Sequence, residues 1–262
     1  MTQDNPVSRL VIGKAMEVHR QLGPGLVEAF YHQLLAEKLA ASGLQHEVKP
    51  RRQLIYRGHV ADEFEPDLVV TGHFIPELKA LRGTFASAHF TQLLAYLKFW
   101  NLGFGLLMDF AKESLALKRV LPPADGSPEF QKAALPAFVH DHELAHQMLE
   151  FIEHIQRDHG LGYRETTYRG LFVACLKHAQ MVHVADPMAQ VAHLGMSTLR
   201  CIVVENRCVV SISALGEGLT AADRAVLQTS LKWLRLPWGI AVHFGKKRCD
   251  ARFVVAPSST QK

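Results

Sequence analysis

The sequence predicts an α/β fold built as two tandem units, each a central mixed sheet flanked by helices. Three observations predict it. The stretch LPPADGSPEF, Leu121 to Phe130, carries three prolines, a glycine and a serine, and divides the chain into parts of similar size. In the first part, helical stripes alternate with short strand-like apolar runs. In the second part, segments of the first recur in the same order. The expected boundaries are a first domain over 1–121, a linker over 122–136 and a second domain over 137–262.

The elements of the first part follow from spacing and punctuation. Val7, Val11, Ala15 and Val18 form one helical stripe over Ser8 to Gln21, stopped by Gly23-Pro24-Gly25. Leu26 to Ser42 resumes as a helix and stops at Gly43. Short runs over Gln53 to Tyr56, Asp67 to Val70 and Phe74 to Ala80 read as strands. Phe90 to Phe99 reads as a helix, and Gly105 to Phe110 as a last buried strand. The order is α-α-β-β-β-α-β.

Internal similarity supports a duplication. GLVEAFY at Gly25 and GYRETTY at Gly162 share the frame G-x-x-E-x-x-Y. DLVV at Asp67 pairs with CIVV at Cys201, and PELKAL at Pro76 with VSISAL at Val210. Asp67 to Glu77 and Cys201 to Ser211 are the same ten-residue step. Gln92 and the LLMDF segment at Leu106 are matched to Gln228 and IAVHF at Ile240.

Composition bounds the function. The chain of 262 residues is 48 % hydrophobic and 21 % charged, which is globular rather than disordered. No apolar run reaches membrane-spanning length and the N-terminus is too polar for a secretory signal, so a cytoplasmic location without a membrane partner is expected. Cys175, Cys201, Cys208 and Cys249 form no C-x-x-C pair, which argues against a zinc knuckle or iron–sulfur site. A formal charge of +4 permits nucleic-acid contact without demonstrating it.

The run FIPELKAL, Phe74 to Leu81, puts Glu77 and Lys79 on one face of an otherwise apolar strand. Buried alone, such charges cost several kcal/mol, so the strand is either an edge with a solvated pair or part of a site. With Asp67 the pattern is D-x9-E-x-K on two strands that can be neighbours. Two carboxylates at a strand junction can hold Mg²⁺ (or Mn²⁺), with the main-chain carbonyl of Leu78 as a further ligand. The cation polarises a phosphate and generates hydroxide, while Lys79 stabilises negative charge or orients the water.

These residues have company. VHRQLGPGLVEAFY, DLVV, IPELKAL, TQLLAYLKFW and GFGLLMDF together resemble the GxxExxY proteins, a branch of the PD-(D/E)xK nuclease superfamily. The resemblance covers most of the first ~120 residues. It implies a restriction-endonuclease-like unit in which Asp67, Glu77 and Lys79 form the metal site and Glu28 joins them from an early helix. The Gln92-Leu-Leu-Ala-Tyr96 segment resembles the Q-x-x-x-Y motif of the RecB-like branch, whose glutamine and tyrosine lie beside the site. Gln92 and Tyr96 share one helix face and can both reach it. Tyr31, of the shared frame, is a further substrate-positioning candidate. The family's last strand usually ends in Asn-Phe, and here Asp109-Phe110 adds an acid that could weaken substrate binding. Arg51, Arg52, Arg57, Arg82 and Lys98 are candidates for gripping a nucleic-acid backbone.

In the second part, Cys201, Ser211 and Ser213 stand where Asp67, Glu77 and Lys79 stood, and Lys232 is matched to Tyr96. Neutral Cys and Ser cannot replace two carboxylates around a hard cation. Glu165 survives alone and is expected to be structural. A rival string, His142-Glu143-Leu144-Ala145-His146, spells the H-E-x-x-H zinc-protease pattern. However, Leu144, Met148, Phe151 and Ile155 form the apolar stripe of that helix, which turns both histidines outward.

The favoured expectation is a Mg²⁺-dependent nuclease acting on DNA, with a degenerate second copy packed as an internal pseudo-dimer. The alternatives are a non-catalytic nucleic-acid-binding or assembly protein on the same fold and, behind it, the zinc metalloprotease.

Overall fold

The computed structural model describes residues 5–122, 129–131 and 133–257. Within them the chain is mixed α/β, with six helices and several sheets among the described residues. It divides into two compact units. The first comprises Met1–Gln53 and Glu63–Pro123, and the second Leu54–Asp62 and Ala124–Lys262. A cut near residue 121 therefore misses one exchange, because residues 54–62 belong with the second unit. Much of the expected linker, 123–128 and 132, lies outside the described residues.

The first run of elements is α1 (Pro6–Leu22), α2 (Glu28–Ala41), β1 (His46–Val48), β2 (Arg52–Tyr56), β3 (His59–Phe64), β4 (Leu68–Val70), β5 (Ile75–Lys79), α3 (Ser87–Trp100), β6 (Gly105–Asp109) and β7 (Ala116–Val120). Asn5 caps α1 by accepting from the Val7 and Ser8 amides, and Pro6 needs no such acceptor. Gly23, at φ 68°, ends the helix. The expected stripe is the buried face: Val11, Ala15 and Val18 pack with Tyr31, Leu35, Leu39, Leu68, Leu78 and Phe110. β5 pairs in parallel with β6, and β6 antiparallel with β7. β1 pairs antiparallel with β4.

The strands β1, β3 and β7 have no counterpart in the sequence-based expectation. Each is short or polar, and its residues alternate too weakly to signal a buried face. β2 and β3 are joined by Arg57 and Gly58, both at positive φ, which is the two-residue turn suited to twisted hairpins.

The second run is α4 (His142–His159), α5 (Glu165–His178), β9 (His183–Ala185), β10 (Met188–Val191), β11 (Gly195–Thr198), β12 (Ile202–Val204), β13 (Cys208–Ala214), α6 (Ala221–Leu234), β14 (Trp238–Phe244) and β15 (Arg248–Val255), preceded by the short β8 (Glu129–Gln131). Apart from β8, the order repeats that of the first run. The pairings repeat as well: β13 and β14 are parallel, β14 and β15 antiparallel, and β9 and β12 antiparallel. Local details follow suit. The Tyr31 hydroxyl donates to Gly23 O at 2.7 Å, and the Tyr168 hydroxyl to Gly160 O at 2.8 Å. Tyr31 stacks on Phe110 and Tyr168 on Phe244.

One pairing of segments shifts. A Cβ on Gly105 would meet Leu93, and a Cβ on Gly239 would meet Leu227. α3 and α6 each end in a left-handed cap, at Asn101 and Arg235. These landmarks align Gln92 with Val226 and Tyr96 with Ser230. The sequence match of Gln92 to Gln228 and of Tyr96 to Lys232 is therefore two residues out of register.

Besides β8, which pairs with β15, the two units differ in the sheet at one pair of strands. In the second, β12 and β13 form a continuous ladder, Ile202–Val210, Val203–Val209 and Val204–Cys208. The matching strands of the first, β4 and β5, share only the bridge Val70–Phe74. Pro76 lies where Val210 lies and has no N–H to give a ladder.

Candidate metal centre at an opened strand pair

Where the β4–β5 ladder is missing, side chains take its place. Asp67 Oδ2 accepts from the Leu78 amide at 2.9 Å, and Glu77 Oε2 accepts from the Asp67 amide at 3.3 Å. The two carboxylates thus stand in for backbone acceptors, and the backbone fixes their positions. Lys79 Nζ donates to Glu77 Oε1 at 2.9 Å and lies 3.9 Å from Asp67 Oδ2. Glu77 is 2 % exposed, so FIPELKAL, although β5 ends its three-stranded sheet, is buried rather than a solvated edge.

The charges are imbalanced. Burial first, and the Asp67 charge second, push the Glu77 pKa up to about 7 despite Lys79. Burial works against the Lys79 ammonium, but Glu77 and Asp67 outweigh it and hold its pKa above the ordinary lysine value. Glu28, the first residue of α2, has its pKa raised by burial and by Asp67, with Lys79 partly offsetting both. Glu28, Asp67, Glu77 and Lys79 therefore feel one another as a single cluster.

Among the described residues, no group of three or more His, Cys, Asp or Glu side chains converges closely enough to chelate an ion unaided. The donor chemistry still fits Mg²⁺, which binds through one or two carboxylates and keeps several waters. Two hard carboxylates with an uncompensated negative charge are what such a cation needs.

Gln92 and Tyr96 share a face of α3, as their spacing requires. Gln92 Nε2 donates to the Tyr96 hydroxyl at 2.8 Å, and that hydroxyl donates to Glu65 O at 3.2 Å, two residues before Asp67. Tyr31 is fully buried, and its hydroxyl also accepts from the Leu26 amide at 3.1 Å. It shapes the turn that delivers Glu28, and its side chain is not presented to solvent.

The basic candidates scatter. Arg51 pairs with Glu63 and Glu65, and Arg52 forks onto Glu47 while lying over Trp100. Arg57 belongs to the second unit, where it meets His154 Nδ1 at 2.8 Å. Arg82 is exposed just after β5, and Lys98 is half-buried on α3. Asp109 is 1 % exposed and its charge is consumed locally. It accepts from the Leu81 and Ala111 amides and pairs with Lys112 at 3.3 Å, so it is not a loose acid facing a phosphate.

His32 escaped the sequence reading. Its Nε2 lies 2.8 Å from Asp67 O, so it holds the backbone of the first acid. The signal was its place one turn after Glu28, on the same helix face.

The second unit carries none of this. Cys201 is buried, and Ser213 Oγ lies 2.8 Å from His243 Nδ1. Glu165 is paired: Arg200 Nε lies 2.8 Å from its Oε1. Of the H-E-x-x-H string, His142, Glu143 and His146 are all exposed, while Leu144, Met148, Phe151 and Ile155 are buried. No described helix is long and apolar enough to cross a membrane.

The search of curated proteins returns no match. Among solved structures, one described as the crystal structure of SSO0001 aligns at 14 % identity over 46 % of this chain and 80 % of that one. Its TM-score of 0.25 carries no weight for fold or function. Residues 5–120, fewer than half of the 262, match the family model of the PD-(D/E)XK nuclease superfamily, whose members are generally hydrolytic and typically use divalent metals such as Mg²⁺. That match supports the PD-(D/E)XK nuclease superfamily, and with it a nuclease-type function, for the first part of the chain.

Proposed function

We propose that the first unit is a divalent-cation-dependent nuclease of the GxxExxY type, related to the RecB-like branch, acting on DNA. The observation that carries this reading is the opened β4–β5 pair, where Asp67 and Glu77 replace ladder acceptors with Lys79 between them. A fold has little reason to open its sheet and bury Glu77 beside a half-buried Asp67 unless a cation or substrate uses them.

Asp67 and Glu77 would hold the cation, Mg²⁺ or Mn²⁺, with the Leu78 carbonyl and Glu28 completing the set. When bound, the cation supplies Lewis acidity toward a phosphate oxygen and lowers the pKa of water. Lys79 moves its ammonium from the carboxylates toward the developing negative charge and orients the attacking water. Gln92 and Tyr96, fixed to each other and to Glu65, position the substrate strand. His32 keeps Asp67 in place.

The second unit reads as a degenerate copy. The shared element order, the shared pairings and the repeated tyrosine-to-glycine contact support a tandem duplication. Arg200 on Glu165 gives a fixed guanidinium to the one acid that remains.

The test is cleavage of single- and double-stranded DNA and RNA with Mg²⁺ or Mn²⁺, comparing the full chain with Glu77→Ala and Lys79→Ala. Loss of cleavage in both variants is expected. Unchanged cleavage in both would sink the nuclease site. Binding without cleavage in every protein would leave a nucleic-acid-binding protein on a nuclease fold.

A further inference from the structure

The second unit carries an open cleft of its own. Gln190 and Ala192 of the β10–β11 hairpin line one side, and Lys232, Trp233 and Arg235 at the end of α6 line the other. Its volume of about 360 Å³ lies within the range of ligand pockets. Trp233 is half-buried, and the Lys232 ammonium stands over its ring, 5.0 Å from the centroid. Arg235 is exposed in the left-handed cap that ends the helix. Gln190 Nε2 donates to Ala192 O at 2.9 Å, which holds the amide in place and leaves its oxygen to accept.

Charge around this cleft is of one sign. Residues 187–200 and 224–237 contain no Asp or Glu, but they contain Arg200, Arg224, Lys232 and Arg235. Arg200 is taken by Glu165, whereas neither Lys232 nor Arg235 forms an ion pair among the described residues. Cations at a helix C-terminus are favoured by its dipole, so part of this charge has a structural reason. The uncovered indole has none. By the offset that aligns Gln92 with Val226, Phe99 of the first unit stands where Trp233 stands. The fully buried Phe64 covers the Phe99 ring, with centroids 4.8 Å apart. Phe64 lies three residues before Asp67, and Thr198 lies three before Cys201. Thr198 is exposed and has no ring to lay on Trp233. The second unit thus has the larger aromatic at this point and lacks its cover. Met188, Gln190, Met196 and Thr198 share one hairpin face, and all four are exposed, so soft apolar surface continues beside the cleft.

An aromatic ring flanked by two unpaired cations and an amide acceptor matches single-stranded nucleic acid. Every base offers a face to stack on the ring, and the neighbouring phosphates offer charge. A duplex keeps its base faces inside, and an acidic peptide has no base to stack. We infer that the second unit binds single-stranded nucleic acid at this cleft, with a base stacked on Trp233 and its flanking phosphates meeting Lys232 and Arg235. This goes beyond the nuclease reading and needs no cation, so it stands or falls independently of the metal centre.

The test is fluorescence anisotropy of the full chain with a fluorescein-labelled oligothymidylate of about ten nucleotides, in chelator and over a range of salt. Trp233→Ala is expected to bind about tenfold more weakly with unchanged salt dependence, and Trp233→Phe to recover most of that loss. Lys232→Gln and Arg235→Gln should each lower the slope of log Kd against log salt by about 0.7. Should Trp233→Ala fail to fold, Gln190→Glu puts an acid into the cleft from an exposed strand position and should weaken binding without lowering Tm. Glu77→Ala should bind as wild type does. Oligouridylate should show the same dependence on Trp233, and dependence with one sugar alone supports the cleft and assigns it to that nucleic acid. Wild-type affinity in the folded cleft variants, or no binding by the wild-type chain in chelator, overturns the inference. Loss in the charge variants alone, or an equal loss of duplex binding in Trp233→Ala, marks a non-specific polyanion patch and overturns it as well. Cleavage that depends on Glu77, with cleft variants that bind normally, sinks the cleft alone. Binding that depends on Trp233, with no cleavage by any protein, sinks the nuclease reading alone.

Discussion

Asp67 accepts a hydrogen bond from the Leu78 amide across a gap where two strands would otherwise pair through their backbones. Its carboxylate is therefore a structural acceptor and, in the proposed metal centre, a ligand as well, and the two roles separate by mutation. Asp67→Ala strands a buried N–H and should lower stability by about 1–3 kcal/mol. Asp67→Asn keeps an acceptor oxygen and should cost much less. Both should abolish Mn²⁺ binding, so denaturant melts and cation titrations of the two variants ought to diverge.

Glu77 makes stability depend on pH in an unusual direction for an acid. Its pKa rises from the ordinary 4.5 to about 7 on folding. Between those values the folded chain holds a proton that the unfolded chain has released. Without added cation, stability therefore falls as pH rises from about 5 to about 7. Glu77→Gln removes this slope. Thermal melts in chelator across that range should show wild type losing ground to the variant, and parallel curves would remove the assigned cause. Cation binding should strengthen over the same window, because Glu77 must lose its proton to bind.

Placing the matching acids in the second unit should not create a site. Cys201→Asp, Ser211→Glu and Ser213→Lys together would place charges beside a β12–β13 ladder that is already closed. Arg200 already sits on Glu165. The triple variant should melt earlier than wild type and show no added Mn²⁺ response beyond that of the first unit. A second binding event in calorimetry would contradict this.

The two buried tyrosines should behave alike. Tyr31 and Tyr168 each bridge the turn before a helix with one donated and one accepted hydrogen bond. Tyr31→Phe and Tyr168→Phe should each cost about 1–3 kcal/mol, since each removes the two hydrogen bonds of a buried tyrosine hydroxyl. Neither should remove Mn²⁺ binding outright, whereas Glu77→Ala should.

Much of this was legible in the chain. Helix stripes ended at glycines, and α1 and α2 follow them closely because burial and capping are local signals. D-x9-E-x-K located the charged centre, since no buried strand carries such residues idly. Periodicity could not register the weak strands β1, β3 and β7, whose partners are distant in sequence. Nor could it fix the offset between α3 and α6, which is set by Leu93 over Gly105 and Leu227 over Gly239. His32 looked like any helix histidine until Asp67 O lay beside it.

The sequence by itself determined which residues are charged, which stripes are apolar and where the two halves echo each other, because those are properties of types and spacings. The tertiary structure alone decided that the β4–β5 ladder is open and the β12–β13 ladder closed. It also decided that residues 54–62 belong with the second unit. Both depend on which backbone groups find partners far along the chain, and Gly170 against Ala61 shows how little room that choice leaves.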